Sequence, residues 1–400
     1  MFVDVFNYSI TAVLIGTCGA WIFLIKSMLI SFKTTPYLDK FEKTKHDNPK
    51  VSIILPARNE EEFLGKCLDT LIDQDYPNYE IIAIDDSSED KTGKIIAKYA
   101  QQNSKVIHVS AKPKPEGWMG KNWACIEGYK KSTGELLLFT DADTTHKNNV
   151  ISLSVNHLLT FNLDALTAIP RMISIDWWTK ITLPMISTFL HTRFSALRVN
   201  DPSKKTGYFF GSFFIIKRET YEKVGTHEGV RQEIIEDGAL GKKVKESGFK
   251  MKMVRGDHLI DAIWARDRTT LWNALKRLMV PLYLQSHGIA VGIFFAVLFL
   301  LFMPFPFLVY SSILNFENIS NSLVFVTSLI ASILIYIGAV IEVKKALYLK
   351  LTHAVFGPIG SLVVVLGFLS GLIQAKRNSS VSWRGRTYSM KDHIQDSIRI

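Results

Sequence analysis

Val51-Ser-Ile-Ile-Leu-Pro-Ala-Arg-Asn-Glu60 is the stretch that decides the fold, because an apolar, β-branched run ends there in a polar cluster. Similar apolar runs follow, and segments with helical periodicity separate them. The predicted order is strand 51–55, helix 61–74, strand 80–84, helix 90–100, strand 106–109, helix 123–131 and strand 135–139. Strands that alternate with helices predict an α/β fold, in which helices cover both faces of a mostly parallel sheet.

Polar residues follow three of the predicted strands directly. These clusters are residues 56–60, residues 85–88 and Thr140-Asp-Ala-Asp143. Ligands of parallel sheets bind beyond the carboxyl ends of the strands, so the sequence predicts one acidic site at that edge. For Asp85 alone, a turn or a helix cap is an equally simple interpretation.

Asp141 and Asp143 have the residue type and spacing of a magnesium or manganese site. A departing diphosphate is commonly stabilised by a divalent cation that one or two carboxylates hold. The sequence has no Gly-x-Gly-x-x-Gly after the first strand and no Gly-Lys-Ser/Thr phosphate loop. Metal-mediated phosphate binding is therefore favoured, and a solvated turn is the alternative for this triplet.

Glu236 and Asp237 precede a predicted helix at 238–247. Transfer of a group to a hydroxyl needs a general base, and we predict that Asp237 is this base, with Glu236 as its neighbour. An acidic pair in the first turn also stabilises a helix through its dipole, which is the structural alternative.

These four motifs together resemble the family 2 glycosyltransferases, which have the GT-A fold, a Rossmann-like architecture with a mostly parallel sheet. Residues 112–122 and 381–388 are similar to a membrane subgroup that includes the carotenoid-acid (staphyloxanthin-type) and hopanoid-associated glycosyltransferases. The resemblance implies a nucleotide-sugar donor, with a UDP-hexose as first candidate, a lipid-like acceptor, a Mg²⁺ or Mn²⁺ cofactor and inversion by a single displacement. The Gln-x-x-Arg-Trp signature of processive synthases is absent, which favours the addition of one sugar.

The resemblance also implies roles for individual residues. The donor would be bound by Pro56, Ala57, Glu60, Asp85, Asp86, Lys121, Asn122 and Asp141, and the metal by Asp143 with Asp141. The acceptor and membrane side would include Trp177, Trp178, Gly211, Trp383, Arg384 and Arg386. Arg266 and Arg268 are candidates for the donor diphosphate, because a guanidinium pairs well with phosphate oxygens; a surface helix of mixed charge is the alternative.

Apolar runs at 7–25, 288–312, 322–341 and 352–374 are each close to the roughly 20 residues that a helix needs to cross a bilayer. They predict an anchor at 1–32, a catalytic domain at 33–285, transmembrane segments at 286–375 and a basic tail at 376–400. Lysines after the first run orient its N-terminus outside, so the catalytic domain would be cytoplasmic and the protein integral to the plasma membrane. The net charge of +10 accompanies no nucleic-acid motif, and anionic lipid is the better partner.

Two segments of the predicted catalytic domain carry further expectations. Residues 176–197 are rich in aromatic side chains but interrupted by Pro184, which predicts interfacial helices, with an amphipathic packing helix as the alternative. Residues 208–216 predict a buried strand in which Gly211 allows substrate to approach closely.

The basic tail poses a topological conflict. A complete span at 352–374 would place the tail outside, whereas the motif at 383–386 belongs near the site if the resemblance holds. A broken segment at 352–374, or a chain that folds back at Pro304 and Pro306, would remove the conflict, and we predict a cytoplasmic tail.

Two other functions remain open at this point. A polyprenyl-phosphate glycosyltransferase would share every donor motif, and a transporter or membrane scaffold could carry a degenerate nucleotide-binding domain. The spans contain few charges, which argues against transport.

Overall fold

The computed structural model describes residues 2–42, 47–192, 194–314 and 316–390, apart from the side chain of Trp383. The expected role of the Trp383 side chain, and residues 391–400 of the tail, lie outside this description. The strands are β1 Val51–Ala57, β2 Tyr79–Asp85, β3 Val106–Ser110, β4 Leu136–Phe139, β5 Thr144–His146, β6 Ala165–Ile169, β7 Arg171–Ser174, β8 Phe214–Lys217, β9 Met251–Arg255, β10 Ile260–Ala265, β11 Ser380–Trp383 and β12 Arg386–Ser389.

The α-helices range in length from 33 residues in α1 to four residues in α7 and α14. They are α1 Phe2–Thr34, α2 Leu64–Ile72, α3 Thr92–Gln102, α4 Gly120–Tyr129, α5 Val150–Thr160, α6 Trp177–Ser187, α7 Ala196–Val199, α8 Arg218–Lys223, α9 Glu236–Glu246, α10 Arg268–Gln285, α11 His287–Val297, α12 Pro304–Ser312, α13 Ile319–Lys345, α14 Thr352–Val355 and α15 Gly357–Arg377. Short 3₁₀ turns occupy Thr188–His191 and Glu228–Val230, and a π-helical turn occupies Leu298–Phe302.

The central sheet has the order β3-β2-β1-β4-β8-β6-β9. β1 pairs in parallel with β2 and β4, and its residues are almost all buried, as expected for a strand covered on both faces. The predicted GT-A type of fold, a mostly parallel sheet with helices on both faces, is confirmed. β1 continues through Ala57, so Pro56 and Ala57 are the last residues of the strand and not part of the loop after it.

The strand predicted at 208–216 is shorter than expected. β8 begins only at Phe214, although Phe209, Phe210 and Phe213 are buried. The reason is that side chains take the backbone amides upstream: the Phe210 N–H donates to Thr167 Oγ1 at 2.9 Å, and the Gly211 N–H donates to the Asp237 carboxylate. These amides therefore have no neighbouring strand as partner, and the segment is a buried loop.

The membrane-type helices are α1, α13 and α15, together with the pair α11 and α12, which is bent by 52° at the break between them. Asn7 donates to Asn321 at 2.7 Å and Trp21 lies against Gly338, so α1 and α13 run in the same direction. Trp21 also donates to the Leu300 carbonyl, and Tyr310 reaches Asn7, so the bent pair runs opposite to α1. The pair thus ends beside the start of α1 and does not fold back.

The last long helix, α15, packs along α10 and α6. Gly367 faces Leu275 and Gly371 faces Met279, so small residues let α15 approach α10 closely. Strands β11 and β12 then form a hairpin that returns to the carboxyl edge of the central sheet. The tail hairpin therefore lies on the same side of the molecule as the predicted site, which is the placement that the motif at 383–386 required.

Candidate active site

A cavity of about 390 Å³ lies at the carboxyl edge of the central sheet. The end of β1 and the loop after β4 form one part of its wall, and the start of α9 forms another. Helices α4, α6 and α10, strand β10 and the tail hairpin also line it. The predicted site at this edge therefore coincides with a cavity that is bordered by the sheet and by α6 and α10, and these two helices pack on the membrane-type helix α15.

Two carboxylates and two arginines form the first charged cluster of the cavity. Arg384 Nη2 lies 2.7 Å from Glu60 Oε1 and 3.1 Å from Asp143 Oδ2. Arg266 pairs with Glu60 and lies 3.4 Å from Asp143 Oδ2. Burial raises the pKa of Asp143, and the nearby Asp141 adds to this, while both arginines oppose the rise. The cluster joins the loops after β1 and β4, the residues just before α10, and the tail.

The second cluster is a buried bridge through Lys121. Its Nζ lies 2.7 Å from Asp141 Oδ1 and 2.6 Å from Glu236 Oε1. Burial disfavours the charged amine, but the two carboxylates outweigh this effect and hold the pKa of Lys121 well above its usual value. Lys121 therefore ties the metal-type loop to the start of α9.

Asp237 lies beside this bridge with backbone amides as its partners. The Gly211 N–H donates to Oδ2 at 2.7 Å and the Gly238 N–H donates to Oδ1 at 2.8 Å. Burial, followed by the neighbouring Glu236, raises the pKa of Asp237 to about 7. A carboxylate with this pKa can hold or release a proton near neutral pH, which suits a general base.

The tail hairpin also covers Asp86. Arg386 pairs with the Asp86 carboxylate, and the Gly120 N–H donates to Tyr388 Oη at 3.3 Å. A Cβ at Gly120 would lie 2.7 Å from Arg386 Nη1, so this position accepts only glycine without a shift of the hairpin. Asp86 Oδ1 is buried without a hydrogen-bond partner among the described residues, which leaves it available to a ligand.

Comparison with known proteins agrees with this geometry. Residues 52–225 match the family model described as glycosyl transferase family 2. Residues 52–225 therefore form a domain of glycosyl transferase family 2. Two relatives, both named 4,4'-diaponeurosporenoate glycosyltransferase, come from Staphylococcus aureus strains bovine RF122 / ET3-1 and N315. They are 26% identical over 243 residues and 28% identical over 245 residues, in each case 60% of this chain. The match spans about 60% of the length of these relatives.

A solved structure supports the fold of the glycosyltransferase domain and its helices. The mannosyltransferase PcManGT from Pyrobaculum calidifontis, in complex with GDP-Man and Mn²⁺, has a TM-score of 0.54 to this chain. The alignment covers 92% of this chain and 99% of that one at 16% identity. At this identity the likeness shows the fold alone.

Several of the predicted site residues make contacts that stabilise the fold. Asp85 Oδ1 accepts from the Ser88 N–H at 3.0 Å, so it stabilises a turn, as its alternative interpretation held. Arg268 lies over the Trp178 ring at 5.1 Å, whereas Arg266 pairs with Glu60. Asn122 borders the cavity, but its amide nitrogen donates to the carbonyls of Val230 and Glu233 at 2.7 and 3.1 Å. Asn122 therefore holds the segment before α9 in place.

The aromatic pair at the start of α6 lies away from the charged clusters. Trp177 is 40% exposed and makes an edge contact with Phe356, just before α15, at 5.3 Å between ring centroids. Asp176 caps the helix by accepting from the Thr179 N–H. Farther along α6, Leu183 and Ile186 line the cavity. One helix thus carries an exposed tryptophan at its start and part of the cavity wall at its end.

Sequence reasoning missed two arginines that line the cavity. Arg58 donates to the Asp86 carbonyl at 2.7 Å and pairs with Glu89 at 2.9 Å, which holds the loops after β1 and β2 together. Its place in the Pro-Ala-Arg-Asn-Glu motif was a signal that could have found it. Arg277 lines the cavity from α10, and no motif surrounds it in the sequence.

The carboxylates at this site suit a metal ion that a bound nucleotide would help to coordinate. Within the described residues, no group of three His, Cys, Asp or Glu side chains could hold a metal ion by itself. Asp141 and Asp143 come from one loop, and Mg²⁺ is usually held by one or two carboxylates together with substrate phosphates. These residues therefore fit a cation whose coordination the donor completes, in exchange for the present contacts with Lys121, Arg266 and Arg384.

Proposed function

We propose that this protein transfers one sugar from a nucleotide-sugar, with a UDP-hexose as first candidate, to a lipid-like acceptor. The observation that carries this proposal is the cavity itself. One side bears the acidic clusters of a family 2 domain, and the other is built from α6 and α10, which pack on the membrane-type helix α15. A polar, phosphate-bearing donor and an apolar acceptor would thus approach from different sides.

The donor side has groups for a nucleoside diphosphate. Asp143 and Asp141 would hold Mg²⁺ or Mn²⁺, which when bound neutralises the charge that develops on the leaving diphosphate. Arg266 and Arg384 already lie at Asp143, so phosphates beside that carboxylate would be within their reach. Asp86, with one buried oxygen lacking a partner, would receive a polar group of the nucleoside.

The acceptor side has a base for a hydroxyl nucleophile. Asp237 would take the acceptor proton while the oxygen attacks the anomeric carbon, and inversion by a single displacement follows from attack opposite the leaving group. Gly211 positions Asp237 through its N–H, so its role is to orient the base more than to admit substrate. Glu236 is occupied by Lys121 and would position the metal-type loop.

The apolar wall of the cavity supports a lipid-like acceptor. Leu183, Ile186 and Leu190 line it from the segment 183–190, which packs near the ends of α1 and α13. The relatives that match are named for a carotenoid carboxylate, 4,4'-diaponeurosporenoate, which is a lipid-like molecule. We further propose that the catalytic domain and the tail are cytoplasmic and that the exposed Trp177 lies at the headgroup level of the plasma membrane.

Incubation of the detergent-solubilised full chain with UDP- and GDP-sugars and total membrane lipid tests this proposal. Each reaction runs with Mn²⁺, with Mg²⁺ and with a chelator, and the released nucleotide and the lipids are analysed. We expect metal-dependent nucleotide release together with a new glycolipid from one donor class. Absence of both donor binding and nucleotide release for every sugar would contradict it and favour a non-catalytic membrane protein.

A further inference from the structure

Arg277 differs from the other cations at the cavity. Each of the others pairs with a carboxylate: Arg58, Lys121 and Arg384, which also line the cavity, and Arg266 beside it. Within residues 2–42, 47–192, 194–314 and 316–390, Arg277 makes no hydrogen bond and no ion pair, although its side chain borders the same space. Burial lowers the pKa of Arg277, and the electrostatic attraction of Glu236 and Asp237 only partly offsets this effect. A largely buried guanidinium without a directly paired anion is therefore poorly compensated for its lost hydration. Its placement therefore calls for an anionic ligand that enters the cavity.

Helix α10 holds this side chain in place from two sides. Leu275 and Met279 pack on α15 at its glycine positions. Val280 and Leu284, which share the face of Arg277 at positions i+3 and i+7, pack against Val381 and Tyr388 of the tail hairpin. The helix cannot rotate to expose Arg277 without losing one of these contacts.

The surroundings of Arg277 favour a ligand on the acceptor side. Ile234, Leu278 and Val381 line the same cavity, and among the charged groups Glu236, next to the proposed base Asp237, acts most strongly on Arg277, followed by Arg384. The phosphates of a donor would lie at Asp143 with Arg266 and Arg384. α10 packs along α15, the side from which a membrane lipid would reach the cavity. A cation on an apolar wall matches an amphiphile whose acidic group leads and whose hydrocarbon follows.

We propose that Arg277 binds an acidic head group of the acceptor lipid, a carboxylate or a phosphate, and thereby selects acidic over neutral acceptors. This inference rests on the proposed function and narrows it. An acidic oxygen arrives without a proton, attacks the anomeric carbon and forms the new C–O bond. The bond from that carbon to the diphosphate breaks, and its electron pair leaves on the nucleoside diphosphate. For such an acceptor the proton transfer to Asp237 is unnecessary, so the base serves hydroxyl acceptors.

Binding of retinoic acid and retinol, which share one carbon skeleton, tests this selection in the full chain in detergent. Tryptophan fluorescence reports binding, since Trp264 lines the cavity. We expect the wild type to bind the acid roughly 10- to 100-fold more tightly than the alcohol, the range expected for a charge-assisted hydrogen-bonded contact. Arg277→Gln should remove this preference without changing retinol binding, and Arg277→Lys should retain part of it. Retinyl phosphate, added as a third ligand, shows whether a phosphate is accepted as well as a carboxylate.

Lys276→Gln is the matched control, because it removes a neighbouring charge of α10 that does not line the cavity. It should keep the acid preference of the wild type. Equal binding of acid and alcohol by the wild type would overturn the inference, as would an unchanged preference in Arg277→Gln. Weaker nucleotide binding by Arg277→Gln at unchanged acid preference would assign Arg277 to the donor instead. In all three cases, glycolipid formation by the wild type would leave the proposed function intact.

Discussion

Replacement of Lys121 by methionine would remove the cation that joins the loop of Asp141 to the start of α9. The substitution keeps the apolar stem but leaves the carboxylates of Asp141 and Glu236 without their cation. Asp141 is one-third exposed and regains water, whereas the Glu236 side chain is only 7% exposed. Breaking a buried pair costs about 3–5 kcal/mol, and because one partner is rehydrated we expect about 3 kcal/mol of lost stability.

The pH dependence of turnover should change in the same variant. Burial and Glu236 raise the pKa of Asp237 to about 7, although the charge of Lys121 lowers it. Without that charge the pKa of Asp237 rises further, so the active, deprotonated base forms only at higher pH. With a hydroxyl acceptor, the rising limb of the rate profile should therefore move to higher pH.

Chemical unfolding of the full chain in detergent, followed by circular dichroism, measures the loss of stability. Lys217→Met is the matched control, because Lys217 pairs with Asp164 at 3.1 Å with both side chains partly exposed. That pair should contribute at most about 1 kcal/mol. If the Lys121 and Lys217 variants unfold alike, and the rate profile of the former does not move, the reasoning about the buried bridge is refuted.

Three further substitutions test the geometry of the site. With a hydroxyl acceptor, Asp237→Asn should leave donor binding unchanged and slow turnover by roughly 100- to 10,000-fold. The wild-type rate should rise with pH through about 7, as the base loses its proton. A variant rate within about tenfold of wild type would contradict the assignment of Asp237 as the base. Gly211→Ala would place a Cβ 2.8 Å from the Asp237 carboxylate and should slow turnover about 100-fold. Gly65→Ala, whose Cβ would have its nearest contact at 3.7 Å, should not slow turnover. Equal rates of the two variants would contradict the inferred steric clash at Asp237. Arg266→Ala should weaken nucleotide-sugar binding about tenfold in a titration, while Arg268→Ala, whose parent side chain lies over an indole, should not; equal losses would contradict the different placement of the two arginines.

The sheet and its acidic edge could be predicted because the signals are local. An apolar run that ends in polar residues marks both a buried strand and the position of its carboxyl end, as at Val51 to Glu60. The parallel order then brings Glu60, Asp86 and Asp143 to one edge. The error at 208–216 arose because amides that a strand would use are bound by the side chains of Thr167 and Asp237, far away in the sequence.

The contacts between the tail and the site could not be derived from spacing. Arg384 reaches Glu60 across more than 300 residues, and nothing in the local pattern names that partner. The length and composition of α15 are those of a membrane span, yet its glycines fit it against α10. Hydropathy alone therefore does not show whether α15 crosses a bilayer or packs on α10, because it does not encode the packing partners of the helix. Arg277 was missed for the same reason, since only the fold places it at the cavity, where no carboxylate of the described residues pairs with it.

The most direct test of the central claim is mass spectrometry of the lipids formed when the wild-type protein is incubated with Mn²⁺, a nucleotide-sugar and total membrane lipid, beside Asp143→Asn as control. We expect a lipid whose mass has increased by one sugar residue in the wild-type reaction, with no such product from the variant. Nucleotide release without a modified lipid, a ladder of several added sugars, or equal product from Asp143→Asn would contradict the assignment of a metal-assisted, single-sugar transferase.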